Sequence, residues 1–157
     1  MSFQHRTVID TADVPFIQLP SGISYRDYRI GKGSRTVGPG AAVTLEMVVR
    51  IESMATVTEP GGVKYYSTAV DTPNNELTWV IGSGEILPSL EEGMMGMKRN
   101  SLRRIEVPSV LVYAGRENNQ IPVPSKSNED GNRRLKNLFN TRKKADLLFE
   151  VLVKKIE

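Results

Sequence analysis

Cysteine is absent from the 157 residues, which excludes disulfides, thiolate metal sites and thiol nucleophiles. A single histidine, His5, lies in a polar stretch near the start, so neither a histidine triad nor a histidine-ligated zinc centre is expected. No apolar run approaches the roughly 20 residues of a membrane-spanning helix, and no arginine-bearing apolar leader is legible. Gly31, Gly33, Gly38 and Gly40 look like a phosphate loop only superficially, because no lysine-serine or lysine-threonine pair follows them. Charge of one sign does not dominate either: 21 Lys plus Arg against 18 Asp plus Glu leave +3, too mild a balance to imply nucleic acid. Hydrophobic residues at 39% and charged residues at 25% instead suit one soluble globular domain.

Periodicity divides the rest. Residues 1–20 read as a tail that lays at most one apolar segment, FIQL, on the body. Residues 24–30 alternate tyrosine and isoleucine with charge, a half-exposed strand. Val43, Leu45, Met47, Val49 and Ile51 form the clearest period-two run, opposed by Thr44, Glu46, Val48 and Arg50, and predict a central antiparallel strand. Further strands are expected over 63–70 and 102–107, the latter with Arg104 and Glu106 pairing outward and Pro108 ending it. Residues 113–146 read as irregular, with a loop over 121–132 and a short helix over 133–141 placing Leu135, Leu138 and Phe139 inward. Leu147, Phe149, Val151 and Val153 alternate again, in a strand suited to the middle of a sheet.

The segment 77–100 organises these pieces. Leu77, Trp79 and Ile81 give a short strand an apolar face, and Gly82 and Gly84 break it. Ile86, Leu90, Met94 and Met97 then recur at helical spacing, with Pro88 in the first turn and Glu91, Glu92 and Lys98 expected toward water. Five or six mostly antiparallel strands and one convincing helix make an α+β domain.

LTWVIGSGEILPSLEEGMMGMK, residues 77–98, resembles the strand, turn and short helix of FKBP-type peptidyl-prolyl cis-trans isomerases. Residues 19–33 and 147–157 resemble that family's opening and closing strands, and RRIEVPSVLVY at 103–113 is similar to a run in its plant and algal branch of the thylakoid lumen. The resemblance implies a curved antiparallel sheet of five to six strands wrapped around one short helix, over 21–157, with a basic insertion at about 114–146. It also implies a chloroplast thylakoid location, isomerisation of X-Pro bonds and proline-containing peptides as partners, with no metal or other cofactor needed.

Rotation about X-Pro meets a barrier of about 18 to 20 kcal/mol from amide resonance. A catalyst holds the proline in an apolar hollow and stabilises the twisted carbonyl with one or two donors. By resemblance, Trp79 and Leu90 form the base of that hollow, Ile86 and Leu87 its side, and Ile121 and Phe149 its walls. The Leu87 backbone N–H and the Tyr113 hydroxyl are the implied donors, Tyr113 the catalytic one. For each the plain reading is ordinary core. Departures are also visible: Tyr65 and Tyr66 stand where the family has phenylalanine and aspartate, Met47 where it has a tyrosine, Leu77 where it has an aromatic, and Leu90 where it has tryptophan. Apolar volume is kept while polar and aromatic contributors are lost, so binding with slow turnover is expected. The competing reading is a non-catalytic assembly module for a photosynthetic membrane complex. It would dock an acidic protein on Arg133, Arg134, Lys136, Arg142, Lys143 and Lys144, a stretch with no acidic residue inside it. Nucleic acid is not expected there, since Phe139 alone interleaves the cations.

Overall fold

The period-two run around Met47 becomes the strand that pairs with three others. The computed structural model describes residues 15–52, 61–140 and 146–157. In chain order it contains β1 (Ile17–Gln18), β2 (Ser24–Arg29), β3 (Ala42–Ile51), β4 (Val63–Ser67), α1 (Thr68–Asp71), β5 (Leu77–Val80), α2 (Pro88–Met94), β6 (Leu102–Val107), α3 (Ser109–Glu117), α4 (Glu129–Asn140) and β7 (Leu147–Ile156). The sheet runs β1-β2-β6-β7-β3-β4, every pairing antiparallel, and β5 pairs with the first half of β3. The fold is the expected α+β one, a curved and unclosed sheet; the described residues hold seven strands where five or six were expected, and besides the organising helix and the one expected over 133–141 they hold α1 and α3. The added strand is β1: Ile17 pairs with Tyr25, so FIQL does lie on the body.

Alternation is obeyed where it was clearest. Val43, Leu45, Met47, Val49 and Ile51 are all buried, and β7 lies between β6 and β3, with Phe149 opposite both Val49 and Ile105. The side chains of this inner face pack against Leu90 and Met94 of α2 in one continuous core.

Local chemistry corrects several expectations. The strand expected over 63–70 stops at Ser67, whose hydroxyl accepts the Val70 N–H and opens the short helix α1. Pro108 ends β6 but opens α3, whose first amide is held by Asp146 Oδ1 (3.0 Å). Helix α4 begins at Glu129, four residues early, because the Asn128 side chain accepts the Gly131 N–H (3.0 Å) as an N-cap. Arg104 does pair outward, across to Glu150 of β7 (3.3 Å), and Glu150 also binds Arg50 (2.8 Å).

The placement of α2 rests on a buried cation. Arg103 of β6 binds Asp27 of β2 (2.7 Å), stacks on the Tyr25 ring (4.1 Å), and donates to the carbonyls of Gly93 (2.9 Å) and Met95 (3.0 Å) at the end of α2. Those carbonyls have no partner within the helix, and a cation is the favoured one at that end. Gly93 lets the helix approach: a Cβ there would overlap Ile105 of β6.

Candidate functional site

Trp79 reaches from β5 beneath the start of α2, and its indole N–H must find an acceptor once buried. Glu91 supplies it at 2.7 Å and also accepts the Gly82 N–H at 3.1 Å. Glu91 is only 5% exposed, which corrects the expectation that it faces water. Gly82 can present its amide there because its φ is +91°, a region open to glycine. Trp79, Leu87, Leu90, Ile121 and Phe149 are buried and join one apolar cluster, with Ile86 half-buried against it. Trp79 and Leu90 are thus brought together with the expected side and wall residues. Leu90 and Phe149 are fully buried and form a floor rather than an open surface.

Helix α3 and the residues after it pack on this cluster. Helix α3 crosses close to Leu87 because residue 115 is glycine; a Cβ there would overlap Leu87 Cδ1 and press on Ile121 Cδ1 at 3.3 Å. The Leu87 N–H donates to Gln120 O at 3.1 Å. The amide that the resemblance offers to a bound peptide is thus bonded within the chain, as a buried amide needs an acceptor. Tyr65 is buried and its hydroxyl donates to Pro122 O at 3.0 Å. The Tyr113 hydroxyl makes a long 3.5 Å bond to Leu138 O of α4, and its ring meets Phe139 edge-on at 5.5 Å. Pro122 is itself buried.

Met47 and Leu77 lie on β3 and β5, the first buried, the second half-buried. The Met47 N–H donates to Thr68 Oγ1 at 3.0 Å. Tyr66 is buried opposite Val49. Burial, Tyr66 and Asp71 raise the Tyr65 hydroxyl well above its ordinary pKa, and burial and Asp71 raise that of Tyr66. Both phenols stay protonated donors at neutral pH.

Asp71, at the end of α1, was not singled out from the sequence, and it ties down the segment 125–128. One oxygen accepts from Ser125 N (2.8 Å), Ser125 Oγ (2.9 Å) and Asn128 Nδ2 (3.1 Å), the other from Ser67 N (2.9 Å). Partial burial opposes its charge, but these bonds from Ser67, Ser125 and Asn128 prevail and keep the carboxyl below the usual carboxylate range. Asn128 also donates to Tyr65 O (3.3 Å), and Gly131 is so close to that carbonyl that a Cβ would overlap it. The run S-x-x-x-D at 67–71 and the capping Asn128 were local signals; their meeting across 54 to 57 residues was not legible.

Other features lie elsewhere. A groove of about 430 Å³ runs along the outer side of the insertion, walled by Ile121, Val123, Leu135 and Phe139. A cleft of about 1010 Å³ between Lys32, Arg35, Arg99 and Lys154 contains none of the residues expected at the hollow. Carboxylate oxygens of Glu52, Glu106 and Asp146 lie within 4.8 Å of one another. Burial first, then Glu106 and Asp146, push Glu52 up to about 8, so it keeps its proton at neutral pH. In the basic stretch Arg133 binds Asp130 (2.8 Å) and Arg134 donates to Lys64 O (2.6 Å), while Arg142, Lys143 and Lys144 fall outside the described residues.

The family model of the FKBP-type peptidyl-prolyl cis-trans isomerases matches residues 33–154. The chain belongs to this family. Two chloroplastic relatives from Arabidopsis thaliana agree: the peptidyl-prolyl cis-trans isomerase FKBP19 is 28% identical over 149 residues, 90% of this chain and 56% of that protein. The peptidyl-prolyl cis-trans isomerase FKBP16-3 is 26% identical over 101 residues, 64% of this chain and 40% of that protein. The chain thus spans about half the length of the curated relatives it matches. The crystal structure of FkpA from Escherichia coli shares the fold, with a TM-score of 0.60 at 15% identity over 90% of this chain and 51% of that one.

Proposed function

We propose that this FKBP-type domain binds proline-containing peptides and isomerises X-Pro bonds slowly. The observation that carries the reading is that Trp79, Leu87, Leu90, Ile121 and Phe149 share one buried apolar core, with the Leu87 N–H and the buried Tyr65 hydroxyl as its polar groups. An apolar floor desolvates the imide, and a donor near it stabilises the twisted carbonyl; neither step breaks a bond. The chloroplastic names of the relatives support a chloroplast setting, and the thylakoid lumen is the compartment we propose.

Two-dimensional NMR exchange on a short Leu-Pro peptide tests this. Catalytic amounts of protein are expected to accelerate cis-trans exchange, and Tyr113→Phe to lower the acceleration about fivefold, one hydrogen bond of about 1 kcal/mol. Exchange at the uncatalysed rate, with no peptide binding, would sink the isomerase reading. The engaged donors favour, as second reading, a non-catalytic module for assembling a photosynthetic membrane complex, with an acidic partner on the Arg133, Arg134 and Lys136 side. Reversing those three charges without loss of partner binding would remove it.

A further inference from the structure

We infer that the cleft of about 1010 Å³ at the end of β7 is a docking site for an extended acidic segment of a partner protein. Its sides come from parts of the chain distant in sequence: the loop after β2 with Lys32 and Arg35, the loop before β6 with Arg99, and the end of β7 with Lys154, Lys155 and Ile156.

The two loops are sewn together. Gly31 lies so close to the Arg99 carbonyl that a Cβ would overlap it, and the Lys32 N–H donates to that same carbonyl at 2.9 Å. Asn100 takes a left-handed φ of +68°, which asparagine tolerates better than most residues. Its N–H donates to the Val153 carbonyl at 2.7 Å, and its carbonyl accepts from Arg29 Nε at 2.9 Å. Lys32 and Arg99 therefore stand on backbone that is fixed to β7.

Charge selects the sign of the ligand. Lys154 faces Glu46 (3.4 Å) and Glu76 (4.0 Å), and Lys155 pairs with Glu157. Lys32 and Arg99 are exposed and have no carboxylate partner among the described residues. Arg35 gives Nη1 to the Ile156 carbonyl at 3.2 Å, and a guanidinium has further donors to offer.

The backbone selects a polypeptide. Strand β6 begins at Leu102, opposite Leu152, so beyond Val153 the strand β7 pairs on its β3 side alone. Glu157 exchanges both backbone bonds with Ala42 (2.8 and 2.9 Å), which turns the amide and carbonyl of Ile156 the opposite way, toward the cleft. An open strand edge takes an extended peptide through main-chain bonds. Glu76 and Glu157 in the walls oppose the unbroken charge of a nucleic acid or an anionic membrane, but admit carboxylates spaced by neutral residues. The volume also exceeds what one small anion needs, since compact ligands fill roughly 300 to 1,000 Å³. None of these residues belongs to the hollow, so docking here leaves the hollow to a prolyl peptide.

The test titrates the full chain with a fluorescein-labelled peptide Glu-Val-Glu-Val-Glu and with its Gln-Val-Gln-Val-Gln counterpart, reading anisotropy and amide hydrogen exchange at Ile156. The glutamate peptide is expected to bind at least tenfold more tightly, and Lys32→Glu and Arg99→Glu each to weaken it about tenfold, with thermal midpoints and cis-trans exchange of the Leu-Pro peptide unchanged. Protection of the Ile156 amide is expected to rise at least threefold on binding. Equal binding of the two peptides, or of the parent and both variants, overturns the inference. Binding that leaves the Ile156 amide unprotected overturns docking along the strand edge. Tighter binding of single-stranded oligothymidylate, or of phosphatidylglycerol vesicles, than of the glutamate peptide overturns the polypeptide assignment.

Discussion

The Trp79 indole donates to Glu91 across 2.7 Å between β5 and α2, and the Gly82 amide shares the same carboxylate oxygen. One acidic side chain thus ties strand, turn and helix together beneath the apolar floor. Glu91→Ala leaves the buried Trp79 indole N–H without an acceptor and is expected to cost about 1 to 3 kcal/mol. Trp79 is the sole tryptophan, so its fluorescence reports the loss directly. Glu91→Gln keeps a carbonyl oxygen and should lose less than half as much; equal stability of Glu91→Ala and the parent would contradict the role.

Arg103 holds α2 from below. Arg103→Ala strands Asp27 and the carbonyls of Gly93 and Met95 at once, and about 3 kcal/mol of stability is expected to go. Lysine keeps the charge but lacks the fork that serves several acceptors, so Arg103→Lys should recover less than half. Urea unfolding monitored at Trp79 checks both.

Gly115→Ala places a Cβ into Leu87, an overpacking expected to cost about 1 to 3 kcal/mol. Leu87→Ala made in the same chain removes the obstacle. A double-mutant cycle should therefore show favourable coupling, and strictly additive losses would mean that α3 simply shifts aside.

Glu52 makes stability depend on pH. Its carboxyl sits at about 8 in the fold against an ordinary 4.5, so the folded chain binds the proton more tightly than the unfolded one. That contribution is complete below about pH 4.5 and is lost as pH rises through 8. Thermal midpoints should therefore fall between those pH values, less steeply in Glu52→Gln, whose amide does not titrate. Solvent exposure of the group keeps the slope modest. An unchanged slope in the variant would assign the pH dependence elsewhere.

The sheet was legible because burial on one face writes itself as alternation: β3 and β7 are where the apolar residues place them. Helix α3 was not, because Val110 and Val112 after a proline carry β-branched side chains that favour strand, and its start depends on Asp146, 37 residues away. The start of α4 was written locally in Asn128 and its Gly131 partner, a cap that the apolar period of Leu135, Leu138 and Phe139 overshadowed. At the site, Trp79, Leu90 and Phe149 each stand on a periodic apolar face, whereas Leu87 and Ile121 do not and were reached only through the family resemblance. What engages the Leu87 amide was not legible, because a backbone carbonyl such as that of Gln120 leaves no mark in side-chain chemistry.

The strand in the middle of the sheet is the last one to be made. Until residues 147–156 have left the ribosome, β3 and β6 each hold an open edge toward a gap of one strand, flanked by their buried apolar faces. The growing chain is therefore most vulnerable to misassociation just before completion of β7. A nascent chain stalled before Leu147 should be readily cut by protease within β3, and one stalled well beyond Ile156 should resist.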